Sequence, residues 1–244
     1  MKRALWIAIL AAIAFVAILL LRLPAAWILP VRGAQWSCAS IDGSLWSGGC
    51  AGLTVNGLGL GDLTWDLQPL RLLLGRAAAH VTLAHGPAEA AGDLEAGLGG
   101  HLTARHLTAD LPLDPRFVPA LPANLHGHAH CDLALLEVQR GVIRRVQGRI
   151  EARDLEERSG NNTPLGSYVA SFPGGSGEPV ATLRDLDGPL ALEGTLRLTS
   201  APGFELEGVI AARRGAPPEL VNSLRFLGSP DATGRRPFSL SGTF

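Results

Sequence analysis

Hydrophobic positions follow two regimes along this chain. From Ala4 to Leu21 they run without a charge. After Pro30 they recur at every second residue. Leu190, Leu192, Leu196 and Leu198 alternate with Ala191, Glu193, Thr195 and Arg197; Phe204, Leu206 and Ile210 alternate with Glu205 and Glu207; Phe238, Leu240 and Phe244 alternate with Ser239, Ser241 and Thr243. This is the period of strands with one buried face. Turn-forming residues separate these segments, which places the chain in the mostly-β class as one continuous domain. Helix is scarce. Pro217-Pro218-Glu219, then Leu220, Val221, Leu224 and Leu227 up to Gly228, predict one short helix near the C-terminus.

Glycine modifies this picture. Gly100, Gly127, Gly148, Gly194, Gly208 and Gly242 all fall on the apolar parity of their segments. A strand-interior glycine permits a bend, a bulge or close backbone approach. Their recurrence on one face predicts an antiparallel sheet that curves strongly around its apolar side, as a half-barrel or groove.

The continuous apolar run predicts a membrane anchor. Eighteen helical residues span about 27 Å, close to the bilayer hydrocarbon thickness. Trp6 and Trp27 bracket the run, and Pro24 and Pro30 stop it. A cleaved signal peptide has a shorter apolar region and a small-x-small site, so a retained anchor is expected. Lys2 and Arg3 keep the N-terminus cytoplasmic. The expected division is a cytoplasmic N-terminus at 1–3, a transmembrane helix at 4–23 and a periplasmic β-domain at 31–244, single-pass in a Gram-negative inner membrane.

Composition excludes several classes of function. The formal net charge is −1 and Lys2 is the only lysine. No basic stripe argues for nucleic acid, and neither a P-loop nor a Schiff-base lysine is available to the domain. A serine elbow of the form G-x-S-x-G is absent, as is C-x-x-C. Asp185-Asp187 and Glu156-Glu157 read as solvated turn charges, and Arg213-Arg214 as a solvated basic pair. No catalytic, cofactor-binding or metal residues are assigned, and the chain is expected not to be an enzyme. His126, His128 and His130 would share one strand face, either as zinc ligands or as an ordinary polar side. Cys38 and Cys50 flank a candidate hairpin and would form a disulfide in an oxidising compartment, leaving Cys131 as a buried thiol.

Short segments in fixed order carry a family resemblance. They include Gly43-Ser44-Leu45-Trp46-Ser47-Gly48, then Leu63-Thr64-Trp65-Asp66-Leu67 leading to Pro69 and Leu73-Leu74-Gly75. Further on come Leu165-Gly166-Ser167-Tyr168, Leu186-Asp187-Gly188, Ala212-Arg213, Leu227-Gly228 and Phe238 to Gly242. With these the chain resembles the type II secretion system protein N family, also called general secretion pathway protein N. The resemblance implies a non-catalytic, inner-membrane-anchored part of the protein secretion pathway. Its implied partners are other secretion components: the outer-membrane secretin and the assembly-platform proteins L and M. Gly43, Trp46, Gly48, Trp65, Gly194, Gly208 and Gly242 are the expected structural or interaction residues. A more distant similarity is to AsmA-like periplasmic proteins, whose curved sheets offer an apolar groove. It implies a lipid-binding or lipid-handling module as the alternative.

Overall fold

The computed structural model describes residues 23–28, 35–72, 74–118, 121–159, 161–175, 177–201 and 203–243. Fourteen strands form one antiparallel sheet. Strands β1 (Trp36–Ser37) and β2 (Ser40–Gly43) lie end to end along one edge of β3 (Ser47–Val55). The sheet then proceeds in chain order through β4 (Leu58–Leu67), β5 (Arg76–Ala84), β6 (Glu89–Gly97), β7 (His101–Leu113) and β8 (Leu125–Gln139). It continues with β9 (Val142–Ser159), β10 (Asn161–Phe172), β11 (Val180–Asp187), β12 (Leu190–Thr199), β13 (Gly203–Ala212) and β14 (Arg236–Thr243). Tight turns make this meander possible. Asn56-Gly57, at φ +50° and +83°, joins β3 to β4 in the primed geometry that matches strand twist. Helical pieces are short: α1 (Ala25–Ile28), α2 (Pro69–Leu72), and α3 (Pro218–Ser223) running into a 3-10 turn (Leu224–Leu227).

Register makes the sheet two-faced. Residues directly opposite each other share a face, and one such row crosses thirteen strands: Ile41, Cys50, Leu63, Leu83, Ala90, Ala109, Cys131, Ile150, Ala170, Leu183, Gly194, Gly208 and Phe238. At strand spacing the row is about 58 Å long. The next row, on the other face, reads Asp42, Gly49, Thr64, Thr82, Ala91, Thr108, Asp132, Arg149, Ser171, Thr182, Thr195, Glu207 and Ser239. An antiparallel sheet tolerates this, because one face can be solvated while the other packs. The apolar face is densest in the middle, where Leu133, Val146, Ala170, Phe172, Ala181 and Leu198 are buried together. A second cluster forms where Leu220 and Leu224, on α3 and the 3-10 turn, cover Leu190 with Leu165, Ile210 and Ala212 against them.

Two expectations change here. The sheet is mostly antiparallel β, but it does not curl into a half-barrel or an AsmA-like groove. Its order is an open path, with β1 and β2 at one edge, β14 at the other, and no pairing between them. Three of the same-face glycines, Gly127, Gly208 and Gly242, leave space for a neighbouring side chain, and Gly194 packs against the backbone of β13. A Cβ on Gly242 would lie 2.6 Å from the Phe204 ring, and one on Gly208 would lie 3.0 Å from the Phe238 ring. Gly127 accommodates Leu155 in the same way, while Gly148 sits beside a β-bulge facing Leu133 and Gly100 lies in the β6–β7 turn. The expected transmembrane helix at 4–23 lies, except for Leu23, outside the described residues. Among the described residues no helix is long and apolar enough to cross a membrane.

Gly208→Val should lower stability by about 1–3 kcal/mol in urea unfolding, because its Cβ would meet the Glu193 carbonyl oxygen at 2.3 Å. Gly59→Ala, where a Cβ meets nothing within 4 Å, should leave the midpoint unchanged. Equal effects at both positions would refute this role for the glycines.

Candidate functional site

Two corners of the sheet gather the singled-out residues. At the first, Gly43 (φ +87°) closes the β2–β3 hairpin; a Cβ there would lie 2.6 Å from the Ser47 carbonyl oxygen. Ser44 N donates to Ser47 O at 2.9 Å, and Ser47 N donates to Ser44 Oγ at 3.1 Å. Trp65, on β4, lies across Gly48, whose added Cβ would be 2.7 Å from the ring, and its Nε1 donates to Leu45 O at 3.1 Å. Trp46 accepts from Leu67 N through its carbonyl oxygen. Leu45 N donates to Leu23 O at 2.9 Å, so the hairpin tip holds the chain where it enters the described structure.

Cys38 and Cys50 are joined in a disulfide at this corner, both buried, with Cα atoms 5.5 Å apart. The bond lies at the break between β1 and β2 and ties the interrupted edge strand to β3. A shallow apolar concavity of about 410 Å³ lies beside it, walled by Trp36, Ile41, Leu53, Val55, Leu63 and Trp65. Gly194, Gly208 and Gly242 do not join this group. They lie on β12, β13 and β14 near the opposite edge, with Gly194 facing Gly208 and Gly242 facing Phe204.

The second corner was not legible from spacing. Asp185 and Arg213 form an ion pair, although 28 residues separate them, and the Asp185 side chain is only 10% exposed. Asp185 Oδ1 also accepts from Leu192 N at 2.7 Å, and Arg213 Nη1 donates to Gly188 O at 3.2 Å. Asp185 is therefore a half-buried tie between β11, β12 and the end of β13, not a solvated turn charge. Asp187 accepts from Ser167 N at 2.8 Å, and Ser167 Oγ accepts from Asp154 N at 3.2 Å. Tyr168 donates its hydroxyl to Leu165 O at 2.7 Å; burial, reinforced by Asp185, pushes its pKa up to about 12, so it remains a donor. Thr163 donates to Glu219 at 3.3 Å and ties α3 to β10. Residues of β9, of β10, of β11 and β12, and of the β13–α3 segment thus close one corner, where the polar groups named serve the backbone or another side chain.

The histidines lie on the polar face. His130 Nδ1 is 2.7 Å from Asp110 Oδ1, His126 Nδ1 is 3.9 Å from Asp114, and His128 is exposed. Among the described residues, no three His, Cys, Asp or Glu side chains are grouped to hold a metal. Cys131 faces the apolar side, where burial, and then the charge of Asp110, raises its thiol pKa.

A family model described as type II secretion system (T2SS), protein N matches residues 34–239. The chain is 28% identical over 213 residues to the type II secretion system protein N of Vibrio cholerae serotype O1, covering 83% of this chain and 82% of that protein. It is 27% identical over 254 aligned positions to the protein of the same name from Aeromonas hydrophila, covering 99% of each. No solved structure matches.

Asp185→Ala should cost about 1–3 kcal/mol, since it leaves the Leu192 N–H without its acceptor and Arg213 without its carboxylate partner. A double-mutant cycle with Arg213→Ala should show coupling, and additive losses would refute the tie. Non-reducing peptide mapping should recover Cys38 joined to Cys50. Cys131, half-buried in the folded chain, should alkylate severalfold faster in urea than in the folded chain at pH 8; equal rates would contradict that protection.

Proposed function

We propose that this chain, which belongs to the type II secretion system protein N family, is a non-catalytic part of that system anchored in the inner membrane. In this reading residues 1–3 are cytoplasmic, the apolar run within 4–23 holds the chain in the membrane, and 31–244 lie in the periplasm. A disulfide at the first corner suits that oxidising compartment. The domain acts by contact. The polar groups at the second corner tie strands together, and the charged face carries ion pairs such as Arg153–Glu151 and Arg145–Glu137.

The observation that carries this reading is the C-terminal edge. β14 pairs with β13 alone among the described residues, so its outer side offers a ladder for another extended segment. Beside it the 3-10 turn presents Phe226, 90% exposed, with Leu227 on the same turn and Val221 on α3 also exposed. An exposed aromatic next to an open strand edge is the kind of anchor that dominates interface energetics. The secretin and the assembly-platform proteins L and M are the candidate partners.

Deleting the gene should abolish export of secreted enzymes, and Phe226→Ala should lower export while the chain still accumulates. A photocrosslinking residue placed at Phe226 in cells should capture a secretion component. Normal export in the deletion strain would overturn the proposal.

A further inference from the structure

The strand ends of β2 to β7 on the side of the hairpin tip form an apolar rim. Trp27 is 80% exposed on α1, Leu70 78% on α2, Leu74 77% just after it, and Leu98 83% in the β6–β7 turn. The strand ends next to which they lie are neighbours in the sheet. Leu67 N donates to Trp46 O, linking the hairpin tip to the chain leading into α2, and Leu98 lies against Gly75. At the other end of the same strands stand Asn56-Gly57 and His85 to Ala88, and among the described residues no large apolar side chain there is comparably exposed. Solitary exposed leucines are ordinary, but a one-ended cluster marks a contact surface.

Charge supplies the second observation. Arg71, Arg76 and Arg105 surround a single carboxylate, Glu95, at 2.8, 3.0 and 3.6 Å. The guanidinium groups outnumber the acid, and the three side chains keep between 47% and 63% of their surface in solvent. The third observation is where the rest of the chain attaches. Leu23, held by Leu45 at the hairpin tip, directly follows the segment that carries the uncharged run 4–21. Everything N-terminal to the described structure therefore joins at this rim.

We infer that the rim seats on a phospholipid leaflet. Trp27, Leu70, Leu74 and Leu98 enter the interfacial layer, and Arg71 and Arg76 meet the lipid phosphates. An indole and long aliphatic side chains flanked by arginines match the chemistry of that layer, apolar below and anionic above. This rests on the membrane-anchored reading and deepens it by fixing which end of the sheet lies against the bilayer.

The test uses the full-length chain in vesicles of phosphatidylethanolamine and phosphatidylglycerol. An environment-sensitive fluorescent residue replaces Leu74, Leu98 or, as reference, Asn56. Spin-labelled lipid should quench the probes at Leu74 and Leu98 severalfold more than the probe at Asn56. Adding Arg71→Gln and Arg76→Gln should reduce that difference while flotation with the vesicles persists. Equal quenching at all three sites in a chain that floats overturns the rim and leaves the anchor standing. A chain that does not float overturns both. A photocrosslinker at Leu98 that captures protein rather than lipid in cells also overturns the rim, in favour of a protein dock.

Discussion

Everything in this fold depends on keeping cross-strand register over the full width of the sheet. Side chains alternate faces strictly, so a slip of one residue exchanges the faces. Here a slip would carry Asp132, Arg149 and Glu207 to the side now held by Cys131, Ile150 and Gly208. The burial of Leu133, Val146 and Phe172 in the middle of the sheet is available only in the observed register. The same register places a glycine beneath each of Phe204, Phe238 and Trp65, where the ring takes the space a Cβ would fill.

A sheet this wide has two edges and many strand ends, and the molecule treats them differently. The N-terminal edge is interrupted and then fastened, with the Cys38–Cys50 disulfide at the break. The ends of β10 to β13 are closed by the Asp185–Arg213 pair and by α3 lying over Leu190. The C-terminal edge has neither device. An unfastened edge beside an exposed aromatic is a liability in a solitary protein and an asset in a component of an assembly. Polar groups hold the corners: Asp185 with Arg213, Asp187 with Ser167, and Thr163 with Glu219.

Much of this was legible in the sequence. The alternation in β12, β13 and β14 gave the apolar face correctly, because those segments have few interruptions. Pro217-Pro218 and Gly228 bounded the short helix, and Gly43 to Gly48 marked a hairpin. The meaning of the glycines was not legible. Pattern alone cannot distinguish a glycine that bends a strand from one that lies under a ring of the neighbouring strand, as Phe204 lies over Gly242. Nor could spacing join Asp185 to Arg213, since that pair exists only once β11, β12 and β13 are aligned. Leu70, Leu74 and Leu98 are far apart in the sequence, and only the topology brings their turns to one end.

Hydrogen exchange in the membrane-reconstituted full chain, alone and with the other secretion components, addresses the contact role most directly. Residues 236–243 and 221–227 should exchange quickly in the chain alone and become protected in the assembly, while β8 and β9 stay slow in both. Unchanged exchange at those two segments, with new protection confined to the polar face of β5 to β7, would contradict a sheet that works through its C-terminal edge.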